Sequence, residues 1–134
     1  MTKPRFLNPD ALAKPPGYTQ AVEVSGPGRT IYIAGQLGLD RDGRLVGEPG
    51  DFRAQATQAF DNLKAALEAA GAGLEDVVKV NNYVVDIKHL PILRDVRRGY
   101  FSADTPPAST TIAISELARD GALYEIDAIA VLPA

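Results

Sequence analysis

Residues 122–132 read ALYEIDAIAVL, an apolar run long enough for a central strand that nonetheless carries two acids, Glu125 and Asp127. Side chains alternate across a strand, so Leu123, Glu125, Asp127, Ile129 and Val131 share one face, and Tyr124, Ile126, Ala128 and Ala130 share the other. A carboxylate among Leu, Ile and Val is costly to desolvate unless it is paired, hydrogen-bonded or open to a cleft. Two readings follow: the acids are the wet side of a half-buried sheet, or they mark a site. The small residues Ala128 and Ala130 suit the underside of a helix.

Upstream, the strand period gives way to a helical one. Phe52, Ala56, Ala59, Phe60, Leu63, Leu67 and Ala70 recur at spacings of three and four, which predicts an amphipathic helix capped by Asp51 and ended by Gly71. Strands are expected at Tyr18–Val24, Thr30–Gln36, Val77–Val85 and Ala108–Ser115. The SGPGR turn should join the first two as a hairpin. A second helix is expected from Pro91 to Ser102, with Leu93, Val96 and Tyr100 toward the sheet and Pro106 and Pro107 beyond its end. Residues 37–51 read as mostly loop with at most a short edge strand near Leu45, and residues 1–17, with four of the ten prolines, as an irregular lead-in.

The order ββ, helix, β, helix, ββ favours an α+β layer with both helices on one face of a mixed sheet. Its other face still carries Ile, Leu and Val, and a small chain without further helices covers such a face best with copies of itself. At 134 residues, 46% hydrophobic and 23% charged, the chain reads as a single domain, residues 1–134. A net charge of −3 argues against nucleic-acid binding as the main activity. No apolar run approaches the roughly 20 residues of a membrane span, and the N-terminal residues lack a signal-peptide core. A cytoplasmic location without membrane partners is the expectation.

With no cysteine, disulfides, thiolate catalysis and the common zinc motifs fall away. The single histidine, His89, makes a His-based metal centre or a Ser/His/Asp triad improbable, and it reads as a solvated loop residue without a role. Neither a metal nor a cofactor is expected, and no glycine pattern fits a nucleotide loop.

Several separated blocks carry a family resemblance: GYTQAV (17–22), IYIAGQLGLD (31–40), QATQAFDNLKAALEAAG (55–71), VVKVNNYVVDI (77–87), YFSADTPPAST (100–110) and YEIDAIAV (124–131). In that order they resemble the RidA/YjgF family of reactive intermediate deaminases, also described as endoribonuclease L-PSP-like. The resemblance implies a chorismate-mutase-like fold, a homotrimer with a central barrel, and small-molecule clefts between subunits. It also implies hydrolysis of 2-imino or enamine acids to keto acids and ammonia. By resemblance, Glu125 matches the glutamate that positions water and Tyr18 the site tyrosine, while Gly35 and Gln36 frame the serine position.

Three positions depart from the family pattern. Ser109 stands where the motif Pro-Ala-Arg-Ser has its carboxylate-gripping arginine, Ala34 stands at the serine position, and Arg94 stands near the asparagine position. A hydroxyl cannot replace the two charge-assisted bonds of a guanidinium fork. The chain therefore resembles branches without the arginine, and a standard 2-imino acid deaminase is not the first expectation. Arg94 is either a solvated helix residue or a substitute anion anchor, which would restore 2-iminobutanoate or 2-aminoacrylate deamination. Ser109 and Thr111 share a strand face and can offer hydrogen bonds to a ligand. A cleft enzyme acting on C=N or C=C bonds with Glu125 as base, a non-catalytic binding trimer and a ribonuclease remain as classes, and the last is disfavoured by the acidic charge.

Overall fold

The computed structural model describes residues 3–134. Ten elements follow along the chain. They are strands β1 (Arg5–Leu7), β2 (Ala21–Glu23) and β3 (Gly28–Leu37), helix α1 (Phe52–Ala69), a 3-10 turn at Leu74–Asp76, and strand β4 (Val77–Val84). A second 3-10 turn (Ile87–His89) leads into helix α2 (Leu90–Arg98), then strands β5 (Ala108–Ala113) and β6 (Tyr124–Pro133). The main sheet has the order β3-β6-β4-β5, with β6 antiparallel to both neighbours and β4 parallel to β5. A parallel pair needs a crossover, and α2 supplies it.

The run chosen from the sequence is thus a central strand, and its alternation holds. Tyr124, Ile126, Ala128, Ala130 and Leu132 are buried, while Glu125, Asp127, Ile129 and Val131 are only half-buried. The buried face packs on α1, whose Phe52, Ala56, Ala59, Phe60, Leu63 and Leu67 are all buried, together with Leu93 and Val96 of α2. Both helices therefore lie on one face of a mixed sheet. Asp51 caps α1, its Oδ1 accepting from the Ala54 N–H at 3.0 Å, and the chain turns over at Gly71. Among the described residues no helix is long and apolar enough to cross a membrane.

Gln55 joins the apolar stripe of α1 as a buried polar residue. Its Oε1 accepts from the Leu123 N–H at 2.8 Å and its Nε2 donates to the Gly121 carbonyl at 3.1 Å. The amide thereby ties the helix to the entry of β6, where the sequence pattern shows only a break in hydrophobic spacing.

Four expectations are corrected. Residues 5–7 are not irregular but pair with β2, Arg5 opposite Glu23, and the two side chains form an ion pair of 2.7 Å. The flanking prolines hide a strand of three residues. The expected hairpin from residues 18–24 into β3 does not form, because β2 pairs with β1 alone. Tyr18 and Thr19 instead turn toward β5: Thr19, fully buried, bridges Ala108 in parallel, and its hydroxyl donates to the Pro106 carbonyl. Helix α2 ends at Arg98, ahead of Gly99, since glycine is a poor helix former. Tyr100 lies beyond it, stacked on Phe60 at 4.9 Å. Finally, His89 is no solvated loop residue, because its ring stacks on Phe52 at 4.5 Å, and its Nδ1 is buried without a hydrogen-bond partner.

Replacing Gln55 by Leu removes two hydrogen bonds, from the half-buried Leu123 N–H and to the Gly121 carbonyl, at about 1 kcal/mol each. Urea unfolding of the Gln55→Leu variant should show a clear loss of stability. An unchanged or raised midpoint contradicts this role.

Candidate functional site

The hydroxyls of β5 and the cations of α2 meet over the end of the sheet. Asn82 of β4 is the organising residue. It points to the helix-covered side, is only 5% exposed, and accepts from the fully buried Tyr124 hydroxyl at 2.6 Å. Its Nδ2 faces Ser109 Oγ at 3.1 Å, the Thr110 carbonyl at 3.2 Å and Thr111 Oγ1 at 3.3 Å. A buried amide is stable only with its polar atoms matched, and Asn82 spends both ends on this chain of bonds. Asparagine is a poor strand former, so Asn82, on the same face of β4 as Val80 and Val84, was the available signal in the sequence.

A cavity of about 250 Å³ opens beside that network. Tyr18, Arg94, Ser109 and Thr111 line it together with Arg97 and Leu93. Tyr18 is delivered by the Thr19–Ala108 bridge, Ser109 and Thr111 by β5, and the arginines by one face of α2. Four of the residues singled out in the sequence are therefore neighbours.

Arg97 was not among the sequence candidates, although its spacing of three from Arg94 on a helix puts both on one side. Its Nη2 donates to the Pro16 carbonyl at 3.4 Å. Burial, and then the charge of Arg94, draw its pKa below the ordinary value. It remains a cation at neutral pH, as any protein guanidinium does. The Pro16–Gly17 backbone closes over it: Gly17 has φ of 108°, and a Cβ there would sit 2.5 Å from Arg97 Nη2.

Glu125, Ala34 and Gly35 form a separate group on the opposite face of the sheet. The β3–β6 register breaks between Ile33 and Gln36, and the bulge sets Gly35 against Glu125, whose Oε2 occupies the space a Cβ would need. Asp127 lies two residues along, accepting from Asn81 Nδ2 at 2.8 Å and from the Tyr83 hydroxyl at 3.0 Å. Burial, with the Asp127 charge adding to it, raises the pKa of Glu125 above the usual carboxylate range. The Tyr83 phenol is raised as well, first by its hydrogen bond to Asp127. Within one chain the expected base and the expected ligand anchors are thus on different sides of the sheet. Alternation along β6 dictates this, since Tyr124 bonds to Asn82 and the next residue must point away.

The endoribonuclease L-PSP family model matches residues 9–132. The chain belongs to the RidA/YjgF family. It is 37% identical to the 2-iminobutanoate/2-iminopropanoate deaminase of Dermatophagoides farinae, over 98% of this chain and 99% of that protein. Its fold is similar to that of the Rid-family protein YyfB from Yersinia pestis, with a TM-score of 0.85 at 37% identity over 98% of this chain and 100% of the other. RidA from the Antarctic bacterium Psychrobacter sp. PAMC 21119 is more distant in shape, with a TM-score of 0.72 at 36% identity over 95% and 98% of the two chains. At the cleft, the guanidinium groups of Arg94 and Arg97 come from helix α2, and Ser109 and Thr111 come from β5.

The raised pKa of Glu125 has a consequence for stability. Ionising Glu125 is harder in the folded chain than in the unfolded one, so its cost is absent below the ordinary carboxylate pKa and complete above the raised one. The Glu125→Gln variant should be more stable than the parent at neutral pH, and the gain should vanish when thermal melts are repeated in acid below the carboxylate range. A gain independent of pH contradicts the assignment.

Proposed function

We propose that this Rid protein hydrolyses a small imine or enamine that carries a carboxylate, with Arg94 in place of the missing strand arginine as the anion clamp. The observation that carries the reading is the convergence of Arg94 with Tyr18, Ser109 and Thr111 around one cavity. A guanidinium there presents paired donors to a carboxylate, and Ser109 and Thr111, aligned by Asn82, can bond to its remaining lone pairs or to the imine nitrogen. The deaminase name of the Dermatophagoides relative supports the same reaction class.

The chemistry assigned to Glu125 follows from its raised pKa. As general base it takes a proton from water while the water oxygen bonds to the C=N carbon, and it returns that proton to the nitrogen. The carbinolamine then collapses to a carbonyl, with ammonia as the leaving group. An enamine joins this path after tautomerising to its imine.

Glu125 serves this cavity only across a boundary between copies, because it lies on the open face. That face exposes Tyr32 (77%) on β3 and Ile112 (45%) on β5, large apolar side chains that another copy would cover. In the homotrimer proposed here, the open face of one copy meets the β5 edge of the next, which brings a carboxylate from outside to the arginine cleft. A second reading, a trimer that binds small molecules without turnover, draws support from the same separation of Glu125 and Arg94. A ribonuclease draws less: the net charge is −3, and the one histidine is stacked on Phe52.

Purified wild-type protein should release ammonia from enzymatically generated 2-iminobutanoate. Arg94→Ala should lower kcat/KM by about two orders of magnitude, the scale of losing a charge-assisted pair in a partly dry cleft. Ammonia release equal to the buffer blank, with 2-oxobutanoate still bound, sinks the hydrolytic reading in favour of the binding one. Unchanged kinetics in Arg94→Ala sinks the clamp.

A further inference from the structure

The ligand cavity has a neighbour that the hydrolytic reading does not use. A second space, of about 340 Å³, is lined by Gly17, Arg98, Phe101 and Ser102, and it shares Pro16, Arg94 and Arg97 with the first. The two spaces therefore meet at a common wall made of two guanidinium groups and the Pro16–Gly17 backbone.

Arg94, Arg97 and Arg98 stand at spacings of three and four on α2, an arrangement in which like charges repel and weaken the helix. Little within the chain offsets this repulsion. Asp95 is 3.8 Å from Arg98, but its closer partner is Arg53, at 2.7 Å, and all three side chains are largely exposed. Among the described residues, Arg97 donates to the Pro16 carbonyl and has no carboxylate in ion-pair range. Among the described residues, Arg94 has no carboxylate partner. Three cations thus gather on one face of a chain whose net charge is −3, and the positive field is focused on two adjoining hollows.

Each hollow has its own donors. The first has the hydroxyls of Tyr18, Ser109 and Thr111, and the second has Ser102 and the Arg98 guanidinium, with Phe101 as an apolar floor. A phosphate ester concentrates its charge on one group and would fill a single hollow. Two hollows on either side of a shared guanidinium pair suit two charges separated by several bonds.

We infer that the ligand of this cleft is a dicarboxylate, an imino or keto acid whose side chain bears a second carboxylate. One carboxylate lies with Arg94 among the β5 hydroxyls and the other beside Arg98, with Arg97 between them. The imino part of this assignment rests on the hydrolytic reading, whereas the two-anion part rests on the paired cavities alone.

Calorimetric titration of the full chain at low salt with 2-oxobutanoate, 2-oxoglutarate and inorganic phosphate tests this. The dicarboxylate should bind at least about tenfold more tightly than the monocarboxylate, the gain expected of one further charge-assisted pair. Arg98→Gln, a change at an exposed position, should reduce that ratio at least about threefold. Equal affinities, an unchanged ratio in Arg98→Gln, phosphate binding more tightly than 2-oxoglutarate, or no detectable binding each overturn the inference. A retained dicarboxylate preference without ammonia release from any imine supports the inference and removes the hydrolytic reading. Ammonia release with equal affinities does the reverse.

Discussion

The bond from the Tyr124 hydroxyl to Asn82 Oδ1, 2.6 Å long in the fully buried core, is the constraint on which the rest of the site depends. A phenol with no water around it must donate somewhere, and burial raises its pKa well above the ordinary value, so it stays a donor. Asn82 is therefore fixed at its oxygen end, which leaves its Nδ2 aimed at Ser109, Thr110 and Thr111. The core tyrosine thus orients the cleft hydroxyls through one amide. The same bond determines where the acids go: with Tyr124 directed to the helices, Glu125 has only the open face.

The departure expected from the sequence at Ser109, a hydroxyl where the resemblance puts an arginine, has a physical context in these terms. Ser109 sits within hydrogen-bond distance of Asn82 and lines the same cavity as Arg94 and Arg97 of α2. A long cation at that position would compete with Arg94 and Arg97, which reach the same cavity from above. On the function proposed above, the clamp's charge stands on the helix, and a short hydroxyl on the strand leaves room for it. That placement sets the direction from which a carboxylate is gripped.

Much of the fold was legible in the sequence because its signals are periodic. The alternation of 124–132 and the three-and-four spacing of α1 each gave an element, its face and its limits to within a residue or two. Tertiary pairing was less legible. Nothing local in Ala21–Glu23 favours Arg5–Leu7 over β3 as a partner, and three-residue strands fall below what alternation can register. Of the residues around the cavity, Arg94, Tyr18, Ser109 and Thr111 had been singled out in the sequence, the last two with help from strand parity. Asn82, Gln55 and Arg97 were missed because their importance lies in partners 27 to 81 residues away. Glu125 illustrates the remaining difficulty: parity gave its face, but parity alone does not say what that face meets.

Whether the Arg94 guanidinium is the anion clamp proposed for this cleft can be seen in a crystal structure of the protein with 2-oxobutanoate. The carboxylate is expected within hydrogen-bond distance of that guanidinium, between α2 and the Ser109–Thr111 edge of β5. A ligand whose carboxylate lies away from Arg94, on the open face or elsewhere, would contradict the proposal.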